Sequence, residues 1–371
     1  MLRVADLTVA EKVGQLFWIG FEGTTLGPGL KSLLEAVRPG GVILFARNID
    51  SADQVRALTD ALFRALPVPP FIALDQEGGR VSRLRPVLGP TAPAYFLAGR
   101  PDPTAAVRRH SEATSLALKS LGFNVNLAPV LDLSGPDPAN GIGDRAFGED
   151  PVRVCALAET FLRAHLRAGV IPVGKHFPGL GGAQADTHLT LPVIRRSRAR
   201  LLSRDLLPYR RLRSILPIVM VGHAYYPALQ GPTEGPATLS RPIVEGVLRK
   251  RIGFRGLVLT DDLEMGAIDQ RLDGAQQARS AFLAGSDGLM FCRSEERIRE
   301  AHAGMLQALG EGEIPAARIG RSLRRVLALK DRYLVRRRRM RYSLGSVARS
   351  RLLLEALGSP SGVGPDPTAR P

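Results

Sequence analysis

The stretch DPVRVCALAETFLRAHLRAGVIPVGKH, residues 150–176, encodes one helix followed by one strand. Asp150 can cap the helix, Pro151 suits its first position, and Gly169 can end it. Apolar side chains between these ends recur at helical spacing on one face, which predicts a helix that packs on a sheet. The apolar run Ile171–His176 that follows is typical of a strand buried on both faces.

Apolar, β-prone runs of this kind occur eight times along the chain, with helical patterning between them. The runs are Leu16–Phe21, Gly41–Ala46, Phe71–Asp75, Asn124–Val130, Ile171–His176, Ile218–His223, Gly256–Asp261 and Gly288–Cys292. Such strands predict a parallel sheet, and eight of them predict a single-domain (β/α)8 barrel. An open doubly wound sheet is the alternative, but the residues after the first run, Phe21-Glu-Gly-Thr-Thr25, lack its glycine-rich phosphate turn.

The end of the chain differs in composition from the rest. Residues 336–339 and 341 are all arginine, and the stretch from Gly358 onward is rich in proline and glycine. A segment of this composition buries little apolar surface. We therefore expect a barrel over residues 1–335 and a disordered basic tail over residues 336–371.

The formal net charge is +16, and 45 of the 51 basic residues are arginine. This balance is compatible with nucleic-acid or anionic-membrane partners. The arginines are spread along most of the chain, which instead favours a genome rich in arginine codons, and no nucleic-acid partner is expected. A non-catalytic basic binding protein that uses the tail is the alternative of a different class.

The two cysteines, Cys155 and Cys292, exclude a cysteine-rich metal site and a disulfide framework. No apolar run at the start has the form of a signal peptide, and none has the length of a membrane helix. These features predict a cytoplasmic protein without a membrane span.

Charged and polar residues follow most of the predicted strands, at the end of a barrel where catalytic groups lie. They are Asp75, Asp132, Arg145, Lys175, His176, His223, Asp261 and Asp262. Carboxylates and cations together suit a ligand rich in hydroxyl groups, so we expect a carbohydrate substrate. There is no phosphate loop and no metal-binding spacing of histidines. A Schiff base on Lys175 is an alternative, but the rigid turn His176-Phe-Pro-Gly179 argues for a shaped pocket.

Four groups of residues occur in a characteristic order. They are Asp75-Gln-Glu-Gly-Gly-Arg-Val-Ser-Arg83, Arg145-Ala-Phe-Gly-Glu-Asp-Pro151, Lys175-His-Phe-Pro-Gly179 with Asp186-Thr-His188 and Leu191-Pro192, and Thr260-Asp-Asp-Leu-Glu-Met265. In this order the chain resembles glycoside hydrolase family 3, and within it the bacterial β-N-acetylglucosaminidases of peptidoglycan recycling. The resemblance covers roughly residues 8 to 335 and implies the same barrel.

The resemblance implies a role for each matching residue. Asp261 matches the catalytic nucleophile, His188 the general acid/base and Asp186 its partner carboxylate. Residues that match those holding the non-reducing sugar are Asp75, Arg83, Arg145, Lys175 and His176. No metal and no organic cofactor is implied. Asp262 competes with Asp261, but on a strand its side chain should point the other way, so we expect a structural role.

The implied activity is a retaining β-N-acetylhexosaminidase that removes terminal β-N-acetylglucosamine from glycosides such as muropeptide fragments. An imidazole at position 188 suits both proton transfers because it titrates near neutral pH. Relatives usually carry a histidine and an aspartate directly after Pro-Gly, whereas this chain has Leu180-Gly-Gly-Ala183. That difference leaves the sugar preference open, and a β-glucosidase or a glycoside phosphorylase is the alternative activity. The oligomeric state is also open.

Overall fold

The computed structural model describes residues 3–137, 141–183, 190–268, 271–336, 339–360 and 366. Within these residues eight parallel strands close into a barrel in the order β1-β10-β9-β8-β7-β6-β3-β2. The strands are β1 Phe17–Ile19, β2 Gly41–Ile43, β3 Phe71–Leu74, β4 Gln76–Gly78, β5 Val81–Ser82, β6 Val125–Asn126, β7 Ile171–Phe177, β8 Ile218–Val221, β9 Leu257–Asp262 and β10 Gly288–Phe291. Strands β4 and β5 form a separate antiparallel hairpin above the barrel. The predicted (β/α)8 barrel is confirmed.

Helices connect the strands and surround them. The α-helices are α1 Val9–Gly14, α2 Pro28–Val37, α3 Ala52–Ala65, α4 Arg85–Leu88, α5 Ala94–Ala98, α6 Pro103–Ser120, α7 Pro151–Ala168, α8 Arg198–Arg200, α9 Leu207–Leu212, α10 Pro227–Gln230, α11 Gly274–Ala284, α12 Glu295–Gly310, α13 Ala316–Lys330 and α14 Leu344–Glu355. Residues 201–205, 242–251 and 331–335 are π-helical, and short 3₁₀ turns lie at 4–6, 46–48, 143–145 and 237–239. In the part of the chain described, no helix combines the length and apolarity that crossing a membrane requires.

The quoted stretch folds as its residues predict. The Asp150 carboxylate accepts a hydrogen bond from the backbone N–H of Val152 at 3.0 Å, and Pro151 is the first residue of α7. Gly169 ends the helix with φ at +82°, a left-handed conformation that glycine adopts without a steric penalty. The apolar face, which includes Phe161, is buried, and all of β7 behind it is buried as well.

Large apolar side chains fill the barrel, and α13 covers its N-terminal end. Trp18 stacks on Phe71 with ring centroids 4.8 Å apart. Lys330 of α13 is fully buried, with Nζ 2.6 Å from Oε1 of Gln15 and 5.1 Å from the centre of the Phe71 ring. Burial places the pKa of Lys330 well below its ordinary value. This end of the barrel is therefore closed.

A buried carboxylate ties α13 to the strands at the same end. Asp287, directly before β10, is fully buried and accepts the backbone N–H of Val258 at 3.0 Å. Its carboxylate also pairs with Arg249, with Arg325 at 2.9 Å and with Arg318 at 3.5 Å. One acidic group thus holds three guanidinium groups from two helical segments.

The prediction of a disordered tail is wrong for residues 344–355, which form α14. Val347 and Leu354 are buried on this helix, and Leu357 is buried just after it. Helix α14 packs against α6 and α4. The apolar surface buried in this contact offsets the entropy lost when the helix is ordered, and the composition of the segment did not predict that contact. The residues beyond 360, apart from Asp366, lie outside those described.

Candidate active site

Three of the predicted site residues come two positions after side chains that fill the barrel. They are Asp75, Lys175 and Asp261. The residues two positions before them, all in the cluster inside the barrel, are Ala73, Val173 and Leu259. The ion pair between Lys175 and Asp75 places these two side chains together at the C-terminal rim. Asp261 lies near the C-terminal end of β9, where the pairing with β10 shifts register between Leu259 and Asp262.

The cations and carboxylates at this rim form direct ion pairs. Nζ of Lys175 lies 2.5 Å from Oδ1 of Asp75 and 2.6 Å from Oε1 of Glu77. Arg145 donates two parallel hydrogen bonds to Glu77, from Nε to Oε2 at 2.8 Å and from Nη2 to Oε1 at 2.9 Å. Such bidentate, charge-assisted contacts fix the orientation of each partner. We call Asp75, Glu77, Arg83, Arg145 and Lys175 the mouth network.

The charges in the mouth network hold each other in their ionised forms. Burial by itself raises the pKa of Glu77, but the charges of Arg145 and Lys175 outweigh it and bring the pKa well below its ordinary value. Burial likewise lowers the pKa of Lys175 and of Arg145, and their carboxylate partners raise both above their ordinary values. The two ion pairs of Lys175 therefore favour its charged form over the neutral amine that a Schiff base needs.

The β4–β5 hairpin positions Asp75 and Glu77. The side chain of Gln76 donates to Oγ of Ser82 at 2.9 Å, and Asn126 bonds both the N–H and the C=O of Gln76 at 3.1 Å. At Gly78 φ is +100°, and an added Cβ would lie 2.2 Å from the carbonyl oxygen of Ala92. The sequence Gln-Glu-Gly therefore fits a turn that only glycine can make at this place.

Arg83 joins the mouth network from the far end of the hairpin. Its side chain is 3% exposed, and Nη2 lies 3.7 Å from Oδ2 of Asp75. Nη1 donates a hydrogen bond to the carboxylate of Asp366, which comes from the C-terminal segment. Arg83 thus links the predicted sugar-binding residues to the end of the chain.

A second buried carboxylate, Asp132, orients His176 and the turn after it. Asp132 accepts from Nδ1 of His176 at 2.7 Å, from the N–H of His176 at 3.2 Å and from the N–H of Leu180 at 2.7 Å. The side-chain contact is satisfied when Nδ1 carries the proton, which leaves Nε2 as an acceptor for a ligand hydroxyl. Asp132 therefore has a positioning role that the sequence did not specify.

The end of β9 carries the two adjacent aspartates. Oδ1 of Asp261 accepts the N–H of Asp262 at 2.9 Å, and Oδ1 of Asp262 accepts the N–H of Glu264 at 3.1 Å. His223, fully buried, lies between Thr238 at 2.7 Å from Nδ1 and the carbonyl oxygen of Asp262 at 2.8 Å from Nε2. These contacts give His223 a structural role, whereas each aspartate carboxylate accepts one backbone N–H in the same way.

The structure brings together Asp75, Arg83, Arg145 and Lys175, with His176 adjoining them on β7. Asp186 and His188, the predicted acid/base pair, lie outside the described residues. Glu77 is the member of the mouth network that sequence reasoning did not assign. A signal existed, because Glu77 follows Asp75 by two residues and two such residues share one face of a strand.

The three histidines in the helices lie outside the mouth network and are buried. His165 bonds the carbonyl oxygen of Phe161 and the amide of Asn126, both at 3.1 Å, while His110 and His302 are buried in α6 and α12. Across the described ranges, no group of three or more His, Cys, Asp or Glu side chains could hold a metal ion.

Comparison with known proteins matches most of the chain to one family. Residues 8–329 match the model of the glycosyl hydrolase family 3 N-terminal domain. A beta-hexosaminidase of Alkalilimnicola ehrlichii is 40% identical over 289 residues, which span 76% of this chain and 81% of the relative. A beta-hexosaminidase of Pseudomonas aeruginosa is 35% identical over 283 residues, 76% of this chain and 84% of that one.

Among solved structures, the glycoside hydrolase family 3 beta-N-acetylglucosaminidase from Paenibacillus sp. str. FPU-7 superposes with a TM-score of 0.87 and 34% identity. The match covers 95% of this chain and 68% of that one. A beta-N-acetylhexosaminidase from Beutenbergia cavernae superposes with a TM-score of 0.80 and 30% identity, over 88% of this chain and 99% of that one. The barrel, the ionised mouth and these matches together identify the chain as a member of glycosyl hydrolase family 3.

Proposed function

We propose that the protein is a retaining β-N-acetylhexosaminidase that releases terminal, non-reducing β-N-acetylglucosamine. The observation that carries this proposal is the C-terminal rim of the barrel, where Asp75 and Lys175 form a buried ion pair and β9 ends in the carboxylates of Asp261 and Asp262. The names of the relatives, beta-hexosaminidase and beta-N-acetylglucosaminidase, support the choice of sugar.

The mouth network suits a neutral, hydroxyl-rich ligand. Asp75 can accept hydrogen bonds from sugar hydroxyls while Lys175, Arg83 and Arg145 donate them, and each group is held by a charged partner before the sugar arrives. Two carboxylates balance most of the charge of three cations, so the pocket does not require an anionic substrate. A rigid polar wall of this kind orients a sugar ring for reaction.

The proposed reaction has two displacements. An oxygen of Asp261 attacks the anomeric carbon, and the bond to the leaving oxygen breaks as His188 donates its proton to that oxygen. In the second step His188 accepts a proton from water, the water oxygen attacks the anomeric carbon, and the bond to Asp261 breaks. Asp186 would orient the imidazole. The product keeps the β configuration.

The test is hydrolysis of 4-nitrophenyl N-acetyl-β-glucosaminide by the wild type and by Asp261→Asn and His188→Ala. We expect Asp261→Asn to be nearly inactive, because an amide cannot form the glycosyl ester. We expect His188→Ala to lose about 10²–10⁴-fold in kcat/KM, and less on substrates whose leaving group needs no proton. Equal activity of all three proteins would eliminate the assignment.

Asp262→Asn is the matched control for the nucleophile. It removes the neighbouring carboxylate, so the pair of variants distinguishes the two aspartates directly. Trapping with a 5-fluoro N-acetylglucosaminyl fluoride, followed by peptide mass spectrometry, should label the peptide at Asp261. A label on Asp262, or a first-formed α product by NMR, would contradict the mechanism.

The finer parts of the proposal concern substrate and location. A panel of nitrophenyl glycosides with and without phosphate separates the hexosaminidase from a β-glucosidase or a phosphorylase. Release of N-acetylglucosamine from muropeptide fragments would support a role in peptidoglycan recycling. We place the protein in the cytoplasm, a proposal supported by two buried, unpaired cysteines, Cys155 and Cys292, and tested by cell fractionation.

A further inference from the structure

The segment after α14 reaches the rim of the barrel that carries the mouth network. Leu357 is buried, and Oγ of Ser359 lies 3.5 Å from the carbonyl oxygen of Thr91. The same carbonyl accepts the N–H of Gly79, in the turn of the β4–β5 hairpin, at 2.8 Å. Helix α14 therefore delivers the C-terminal residues to the hairpin that positions Asp75 and Glu77.

Asp366 makes the contact that continues this path. Its carboxylate accepts a hydrogen bond from Nη1 of Arg83, and its side chain is 21% exposed. The other terminal nitrogen of Arg83 faces Asp75, which in turn is paired with Lys175. A carboxylate from the end of the chain thus lies at the outer edge of the group of residues predicted to hold the sugar.

The charge of the mouth network favours this contact. Asp75 and Glu77 are negative, whereas Arg83, Arg145 and Lys175 are positive, so the five groups carry a net charge of +1. Asp366 brings that sum to zero. Because α14 is packed against the barrel, the carboxylate is also present at a high effective concentration. A sugar hydroxyl is neutral and must compete with it for Arg83.

We propose that Asp366 is an intramolecular competitor of substrate, and that it must leave Arg83 before a sugar can use that guanidinium. The inference rests on the proposed function, which assigns Arg83 to sugar binding. Only the fraction of molecules with Arg83 released binds substrate fully, so the apparent KM is raised in proportion while kcat is unchanged.

The experiment compares the wild type with Asp366→Asn on 4-nitrophenyl N-acetyl-β-glucosaminide. We expect KM to fall by about threefold to tenfold, the range for a charge-assisted pair that is partly exposed, and kcat to stay within about twofold. Thr368→Ala is the matched control in the same segment and should keep the wild-type KM. Asp366→Glu keeps the charge and should keep part of the effect.

Salt gives a second measurement that a change in folding would not produce. The wild-type KM should fall moderately as sodium chloride is raised, because salt screens the charge of Asp366, which is partly exposed, whereas the KM of Asp366→Asn should be nearly constant. A protein truncated after Ser359 should behave like Asp366→Asn, and a peptide of residues 360–371 added to it should inhibit competitively.

The outcomes separate this inference from the proposed function. An active wild type with the same KM in Asp366→Asn overturns the inference and leaves the proposed function intact, and so does a higher KM, which would make Asp366 a substrate ligand. If no protein hydrolyses the glycoside, calorimetric binding of N-acetylglucosamine decides. Tighter binding by Asp366→Asn supports competition, and absence of binding by both proteins overturns it.

Discussion

Glu77 is the residue on which the mouth network depends most. It is almost fully buried and holds both Lys175 and Arg145. Removal of one partner from a buried ion group leaves the others without a counter-charge, which costs far more than the pair contributes over an apolar replacement. Asp75 would be the remaining carboxylate for three cations in the network.

We therefore expect Glu77→Gln to lower the free energy of unfolding by about 3–5 kcal/mol, with a loss of activity because Lys175 and Arg145 shift. The pKa of Glu77 is below its ordinary value of 4.5 in the folded protein. Its contribution is thus fully present above that pH and is lost as the pH falls below it. Urea unfolding at several pH values measures both effects.

Glu22→Gln is the matched control, because Glu22 pairs with Arg47 on the surface with its side chain 72% exposed. We expect less than about 1 kcal/mol from it. A loss of that small size in Glu77→Gln would show that the mouth network does not need its central carboxylate.

At the scale of single elements, α6 contains a buried titratable group that the proposed chemistry does not use. Burial lowers the pKa of His110 to about 4. Within the described residues neither ring nitrogen has a hydrogen-bond partner. The ring lies behind the hairpin, where Nε2 would be 3.3 Å from a Cβ at Gly78. The folded protein therefore keeps His110 neutral under mildly acidic conditions.

Since the unfolded chain binds a proton near pH 6.5 and the folded chain does so only near pH 4, His110 costs stability as the pH falls through this window. We expect His110→Leu to remove about 3 kcal/mol of that loss between pH 7 and pH 4, and to be at least as stable as the wild type at pH 7. His165→Leu, which also breaks the contacts with Asn126 and Phe161, should be less stable at pH 7. Denaturant midpoints across this range provide the measurement; an unchanged pH slope in His110→Leu would refute the assignment.

At the scale of the whole molecule, the two ends of the barrel have different tasks. The C-terminal end carries the mouth network, and the N-terminal end is closed by α13, which Asp287 ties to the strands. The carboxylate that maintains this closure, that of Asp287, is fully buried. The ion pairs of Asp287 and the residues of the proposed reaction therefore lie at opposite ends of the barrel.

We expect Asp287→Asn to cost about 3–5 kcal/mol, because Arg249, Arg318 and Arg325 would be left without their shared carboxylate. Glu313→Gln breaks the exposed pair with Arg279 and should cost less than about 1 kcal/mol. Thermal unfolding of the two variants measures the difference. The KM of correctly folded Asp287→Asn should remain near the wild-type value. A changed KM would show that the N-terminal end of the barrel influences substrate binding at the C-terminal end.

Much of this architecture was predictable from local signals. Apolar runs such as Ile171–His176 located all eight barrel strands, and strand-end polar residues such as Asp75 and Lys175 located the mouth. Contacts between distant segments were not predictable, because composition does not encode which face of a short helix finds an apolar neighbour. Helix α14 and the pairing of Asp366 with Arg83, 283 residues apart in sequence, are of this kind.

Two described parts of the chain, residues 4–6 and Asp366, lie at opposite ends of the barrel. The turn Val4–Asp6 packs on α13, whereas Asp366 lies beside Arg83 at the rim. An affinity tag fused to the C-terminus would be separated from Asp366 by five residues and would add its own charges to the segment that pairs with Arg83, so a histidine tag could itself change the measured KM. Kinetic work on this enzyme therefore calls for a tag at the N-terminus, or for one that is cleaved before assay.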